Sequence, residues 1–229
     1  MDYIVDGLKK AIELLFSFDK ELYGIIFLSI RVSLTATILA SVYSIPLGLY
    51  LGVKKLRFPN TISRIIYTFM SIPSVIVGLL ISILLSRRGP IGFLNLMYTP
   101  RAMIIAQTAL LTPLLIGLSY GLAKNNGKII ADTCKTLGGG NKETVKMIIS
   151  ELRGNLLINI ITGFSRAISE VGAVMIVGGN IKGQTRVITT SISMLNSMGD
   201  YPMAIALGLV LIIISFGINS VIYKYSSED

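Results

Sequence analysis

The chain has 229 residues, of which 52% are hydrophobic and only 14% charged, and its formal net charge is +9. A mean hydropathy of +0.73 and a charged fraction well below the roughly 25% of soluble domains point to lipid as solvent; the basic residues lie between apolar runs, which argues against a nucleic-acid-binding surface. One cysteine, Cys134, and no histidine exclude an intrachain disulfide and a cysteine metal cluster, and remove the commonest general base.

Residues 1–22 form the first unit. Asp2 and Asp6 stand where a signal peptide would carry positive charge, and no small-residue cleavage site follows, so no signal peptide is expected. Ile4, Val5, Leu8, Ala11, Ile12, Leu15 and Phe16 share one helical face, with Asp6–Lys10 and Lys9–Glu13 pairs elsewhere. This pattern fits an amphipathic helix along the membrane surface. It fits equally a helix packed on the rest of the protein.

Residues 23–224 form the second unit, a transmembrane domain of five spans at about 28–53, 63–86, 102–123, 155–178 and 201–223. The stretches Val32–Val53, Ile65–Ser86, Ala102–Ala123 and Tyr201–Tyr223 carry no charge, and each exceeds the roughly 20 apolar residues needed to cross a bilayer. Pro46, Pro73 and Pro113 fall inside spans, where each removes a backbone hydrogen bond and predicts a kink. Tyr67, Tyr98, Tyr201 and Tyr223 lie near span ends, as an aromatic belt requires.

An odd number of spans separates the termini. Lys54, Lys55, Arg57, Arg64, Lys124, Lys128, Lys135, Lys142, Lys146, Arg153 and Lys224 share one side. Lys9, Lys10, Lys20, Arg87, Arg88, Arg101, Lys182 and Arg186 share the other. The larger group marks the cytoplasm, which places the N-terminus outside and the C-terminus inside a cell (plasma or inner) membrane.

Between the third and fourth spans, residues 124–153 form a cytoplasmic loop. Ile129, Ile130, Cys134 and Leu137 fall at helical spacing before Gly138-Gly139-Gly140, which closes the helix. Asn141 is the expected N-cap of a second helix, with Val145, Ile148, Ile149 and Leu152 as its apolar stripe. Such a knob suits docking into a partner's groove, although an ordinary helix–turn–helix loop has the same pattern. The run Asp132-Thr133-Cys134-Lys135-Thr136-Leu137-Gly138 resembles the EAA loop of binding-protein-dependent ABC importer permeases. Asp132 stands for the glutamate, Thr133 and Cys134 replace the alanines, and Ser150-Glu151-Leu152 replaces the usual Leu-Pro.

The fourth span separates into two faces. Asn155, Asn159, Thr162, Ser165, Arg166, Ser169, Glu170 and Ala173 follow one stripe; Leu157, Ile160, Ile161, Phe164, Ile168, Val171 and Met175 follow the other. A central charge facing lipid costs about 2.5–3.5 kcal/mol, so the polar stripe must face protein or water. Arg166 and Glu170 can pair along the helix, but such a pair contributes only about 0.2–0.5 kcal/mol, so further partners are expected. Residues Asn159, Thr162, Ser165, Arg166, Ser169 and Glu170 are either a translocation path and gate or, for the charged two, a structural ion pair.

The run Gly163–Ile181, with Ser-Glu-Val-Gly at 169–172 and Gly-Gly-Asn-Ile at 178–181, resembles the permeases for molybdate, tungstate and sulfate, most of all those for tungstate. The resemblance implies an all-α, type I ABC importer permease-like bundle without catalytic or metal residues. It also implies a homodimer, two cytoplasmic ABC ATPase subunits that bind ATP and Mg, and an extracytoplasmic oxyanion-binding protein. Asp132, Thr133, Cys134, Leu137, Gly138, Val145 and Ile149 would then couple to the ATPase. The sequence contains no phosphate-binding P-loop of its own. A self-sufficient anion carrier, or a membrane enzyme or scaffold, are the rival readings; Glu170 is the only acidic residue deep in a span, which argues against an enzyme.

Overall fold

The computed structural model describes residues 2–54 and 57–226, with the side chains of 2–4, 6, 7, 10, 11, 221, 222, 225 and 226 left aside. Among the described residues there are helices and no strands. In chain order they are α1 (Asp2–Phe16), α2 (Lys20–Val53), α3 (Pro59–Met70), α4 (Ser74–Leu85), α5 (Pro100–Thr136), α6 (Asn141–Glu151), α7 (Arg153–Ile168), α8 (Gly172–Gly178), α9 (Ile188–Met198) and α10 (Tyr201–Ser226). By length and composition α2, α5 and α10 can each cross a membrane; α3 with α4 and α7 with α8 qualify as two further spans if each bent pair counts as one.

The central contact of the bundle is α2 against α5. Ala36, Ala40, Ser44, Gly48 and Gly52 recur every fourth residue on α2, and this row of small side chains lets two backbones approach. A Cβ added at Gly48 would lie 2.5 Å from the Ile116 carbonyl oxygen, and one at Gly52 would lie 2.6 Å from Ala123 Cβ. On the opposite side of α2, Leu34, Ile38, Leu39, Val42 and Leu47 are exposed. A helix apolar all round is what lipid on one side and protein on the other demand.

The kink predicted at Pro73 is present as a full break, whereas the break in the fourth span has no counterpart in the proline pattern. α3 and α4 meet at 82°. Pro73 takes an extended backbone there (φ −58°, ψ 133°), and a proline disfavours the helical region for the residue before it, Ile72. Pro46 and Pro113 remain inside continuous helices, α2 and α5. α7 and α8 meet at 57° without any proline.

Three helices do not stop where the predicted units do. The helix of the third span runs past Ala123, because nothing breaks it before Gly138; α5 continues to Thr136, about 55 Å in all. The division at residue 22 falls inside α2, whose N-terminus is capped at residue 19 by the Asp19 carboxylate accepting from the Leu22 N–H. The stretch that joins the fourth and fifth predicted spans contains α9. Its first turn is buried although Thr189, Thr190 and Ser191 are polar, because their hydroxyls donate to Glu170 O, Asn180 Oδ1 and Val187 O.

α1 lies against α10, and the Tyr23 hydroxyl donates to Leu15 O. Val5, Ile12 and Phe16 nevertheless stay exposed. The Asp6–Lys10 pair lies outside the described side chains, and Lys9–Glu13 is not among the ion pairs of the described residues, which are Arg166–Glu170, Lys182–Glu21 and Arg186–Glu21. An exposed pair of this kind is worth too little to fix two long side chains. Tyr67, Tyr98, Tyr201 and Tyr223 are all exposed, as the aromatic-belt reading expects.

Candidate functional site: a broken span and a terminal knob

The break in the fourth span is assembled around Glu170, whose side chain is only 2% exposed. Its Oε2 accepts from Arg166 Nη1 at 2.7 Å, and its Oε1 accepts from the Ala173 N–H at 3.0 Å. Arg166 belongs to the last turn of α7 and Ala173 to the first turn of α8. The carboxylate therefore bridges the break, and the pair does not run along one continuous helix as its spacing suggests.

Neighbouring helices complete the break. Gln107 Nε2 donates to the Ala167 carbonyl at 2.9 Å, and Thr189 Oγ1 donates to the Glu170 carbonyl at 2.7 Å. Neither residue was a candidate from the pattern of α7 alone. The one available signal was that Gln107 is the only amide side chain in the third predicted span. In an apolar surrounding an unmet carbonyl is expensive, so Gln107→Leu is expected to cost about 1–3 kcal/mol. Thermal unfolding of the purified protein in detergent checks this.

The two breaks also meet each other. A Cβ at Gly172 would lie 2.7 Å from Val75 Cγ2 and 3.4 Å from Ser74 Oγ; one at Gly78 would lie 2.6 Å from Ala173 Cα. α4 and α8 thus pack nearly backbone to backbone, starting from adjacent break points.

The remaining stripe residues follow the sequence pattern only in part. Thr162 and Ser169 donate to their own helix, to Ile158 O and Ser165 O, and Asn159 Nδ2 is buried without a partner. Ser165 is half-buried, Ser169 is exposed, and the Arg166 side chain is 43% exposed. Leu156, Gly163, Ala167 and Ile168 face the core instead. Arg166 and Ser169 therefore lie on the outside of this single subunit, while Glu170 is buried beneath them.

The second candidate group sits at the far end of α5. Gly138 takes the left-handed conformation (φ +82°), and the Gly139 N–H donates back to Cys134 O, so the expected glycine stop is present. α6 starts after Gly140, not at an Asn141 cap: Glu143 Oε2 accepts from the Gly140 N–H, and Asn141 is already helical. Ile148 is fully buried against Ile45, Leu49, Ala123 and Leu156, which anchors the knob to the bundle. Val145 is half-buried, and Asp132 and Thr133 are exposed. Ile149 is exposed too, whereas Cys134 is buried. Ile129 and Leu137 show 77% and 78% of their surface; the helical row Ile129, Ile130, Cys134 and Leu137 is thus split, because Cys134 turns into the glycine turn. Among the described residues no cluster of acidic, cysteine or histidine side chains has metal-ligand geometry.

The family profile of the binding-protein-dependent transport system inner membrane component matches residues 44–225. The chain belongs to that family. Its membership makes the chain a multi-pass inner-membrane protein and a translocation subunit, and the matched region contains both breaks and the knob. The tungstate uptake system permease protein TupB of Peptoclostridium acidaminophilum is 61% identical over 228 residues, covering 100% of each chain. TupB of Campylobacter jejuni is 38% identical, covering 98% of this chain and 94% of its own. The sulfate transport system permease protein CysT of Salmonella typhimurium is 26% identical, covering 83% of this chain and 74% of its own. As a member of the transport-system family the chain has the type I ABC permease fold that the Gly163–Ile181 run implies.

Proposed function

We propose that this chain is the membrane-spanning subunit of an ATP-driven tungstate importer, working as a homodimer with two cytoplasmic ATPase subunits and an extracytoplasmic oxyanion-binding protein. The 61% identity over the whole chain to a tungstate uptake permease carries the substrate reading. Molybdate and sulfate are the weaker alternatives, with a sulfate permease at 26%. ATP and its magnesium belong to the partner ATPase. The N-terminus lies outside and the C-terminus in the cytoplasm, with the more basic bundle end inside.

Residues Asp132, Thr133, Cys134, Leu137, Gly138, Val145 and Ile149 transmit ATPase movement. Cys134 does so as a packing residue, the exposed Leu137 as a contact. The exposure of Ile129 and Leu137 supports a docking role, since two bare aliphatic side chains on a knob anchored by Ile148 suit a partner's groove. Asn159, Thr162, Ser165, Arg166, Ser169 and Glu170 line or gate the path. An exposed Arg166 within a membrane span needs a second subunit or water beside it, which supports the dimer. ATP and the loaded binding protein shift the inward–outward equilibrium only through their differential affinity for the two states.

Uptake of labelled tungstate by cells carrying the whole importer tests the reading, with molybdate and sulfate as competitors. Sulfate competing as well as tungstate overturns the substrate assignment; uptake by the purified chain in liposomes without ATPase overturns the subunit assignment. Leu137→Asp is expected to leave stability within about 0.5 kcal/mol, because the position is exposed. It is expected to cut ATP-dependent uptake about tenfold or more, by putting a charge into an apolar contact. For topology, buried Cys134 is a poor reporter. Thr133→Cys in a Cys134→Ser background is the better one, and it should react with impermeant thiol reagents only from the cytoplasmic side.

A further inference from the structure

At the bundle end opposite the knob, a hollow of about 270 Å³ opens between the start of α2 and the loop joining α8 to α9. Lys20, Lys182 and Arg186 line it, together with Glu21, Gly24 and Gln184. Three cations face one carboxylate. That carboxylate is shared, with Oε2 at 2.6 Å from Lys182 Nζ and Oε1 at 3.4 Å from Arg186 Nη1. Arg186 Nε is buried without a hydrogen-bond partner, and the described residues offer Lys20 no ion pair. Ammonium and guanidinium groups donate hydrogen bonds and accept none, and a guanidinium presents five donors in a fixed fork. The hollow thus has an excess of two positive charges and unused donors, which complements an ion of two negative charges that only accepts.

We propose that this hollow is a transit site for the tetrahedral oxyanion itself, held by Lys20, Lys182 and Arg186 in competition with Glu21. The inference rests on the oxyanion-import reading above. Glu21 keeps the site weak by occupying two of the three cations, so that an ion can leave as readily as it enters. The loop leads directly into α9, whose first turn carries Thr189, and Thr189 donates to the carbonyl at the α7–α8 break, so α9 ties the loop that lines the hollow to the bent span.

Gly24 provides a test that spares every charge, since a Cβ added there meets nothing within 4 Å and leucine has a higher helix propensity than glycine in the second turn of α2. Tungsten bound per permease is measured by equilibrium dialysis on the purified permease–ATPase complex, without the binding protein and with tungstate as the probe. Saturable binding is expected. Arg186→Gln or Lys182→Gln should weaken it about tenfold or more, the worth of one charge-assisted hydrogen bond. Gly24→Leu should abolish it by filling the hollow, and Glu21→Gln should tighten it. Absence of saturable binding, or binding unchanged in Arg186→Gln and Gly24→Leu, overturns the proposal. If those two variants bind tungstate normally but lose capture of the binding protein, the hollow receives an acidic protein surface and the proposal is equally wrong. Wild-type ATP-dependent tungstate uptake, measured in parallel, separates this failure from failure of the import reading.

Discussion

Arg166→Ala is expected to destabilise the protein by about 3 kcal/mol and to abolish uptake, whereas Glu170→Gln is expected to cost only about 1 kcal/mol. The asymmetry follows from burial. Glu170 is 2% exposed and its partner 43%. Removing Arg166 strands a carboxylate in the interior with a single backbone N–H, from Ala173, on its side chain. Removing the charge on Glu170 strands nothing comparable, because a half-exposed guanidinium keeps the water or second-subunit group beside it, and the glutamine oxygen still accepts from Ala173. The figure of 3 kcal/mol is taken from the low end of the range for an uncompensated buried charge, since water can enter where the arginine stood. The double variant Arg166→Ala/Glu170→Gln should therefore be more stable than Arg166→Ala alone. Unfolding in detergent for the four proteins checks the order, and a double variant no better than Arg166→Ala would remove the burial argument. Uptake separates the two roles left open by the sequence: a purely structural pair predicts that the double variant regains transport with stability, a gate that it does not.

The second large effect is at Gly48, where even one methyl group is too much. An alanine Cβ would stand 2.5 Å from the Ile116 carbonyl oxygen and 2.8 Å from Ser119 Cβ, and the first of these is backbone that cannot rotate away. α2 must then move off α5, opening the row at Ala40 and Ser44 as well. Overpacking of this kind costs about 1–3 kcal/mol. In a membrane the loss is not offset by any hydrophobic drive to reassociate, since lipid is as apolar as the partner helix. Gly48→Ala is expected to reduce the folded transporter recovered from membranes and to lower its unfolding temperature. Gly208→Ala is the control: an added Cβ there meets nothing within 4 Å, and alanine improves helix propensity. Equal recovery of the two variants would mean that the α2–α5 contact is not the tight seam described.

What the sequence determined by itself was the solvent and the ends. A run of some 20 apolar residues is a statement about transfer free energy summed along the chain, and it suffices to find Val32–Val53, Ala102–Ala123 and Tyr201–Tyr223. The glycine stop at Gly138 and the anchoring residue Ile148 were equally legible, since a left-handed turn and a helical stripe are local properties. Pro73 made a kink in the second span legible too, but its size, and the break in the fourth span, were not. A hydropathy sum has no direction, so an 82° bend and a 57° bend leave it unchanged. A break also exposes carbonyls that lipid cannot satisfy, and at Ala167 and Glu170 the donors are Gln107 and Thr189, 60 and 19 residues away. Only the tertiary structure could decide that these side chains arrive there. The same holds for the pairing of the small-residue row on α2 with α5, which depends on which helix lies opposite and not on the row itself.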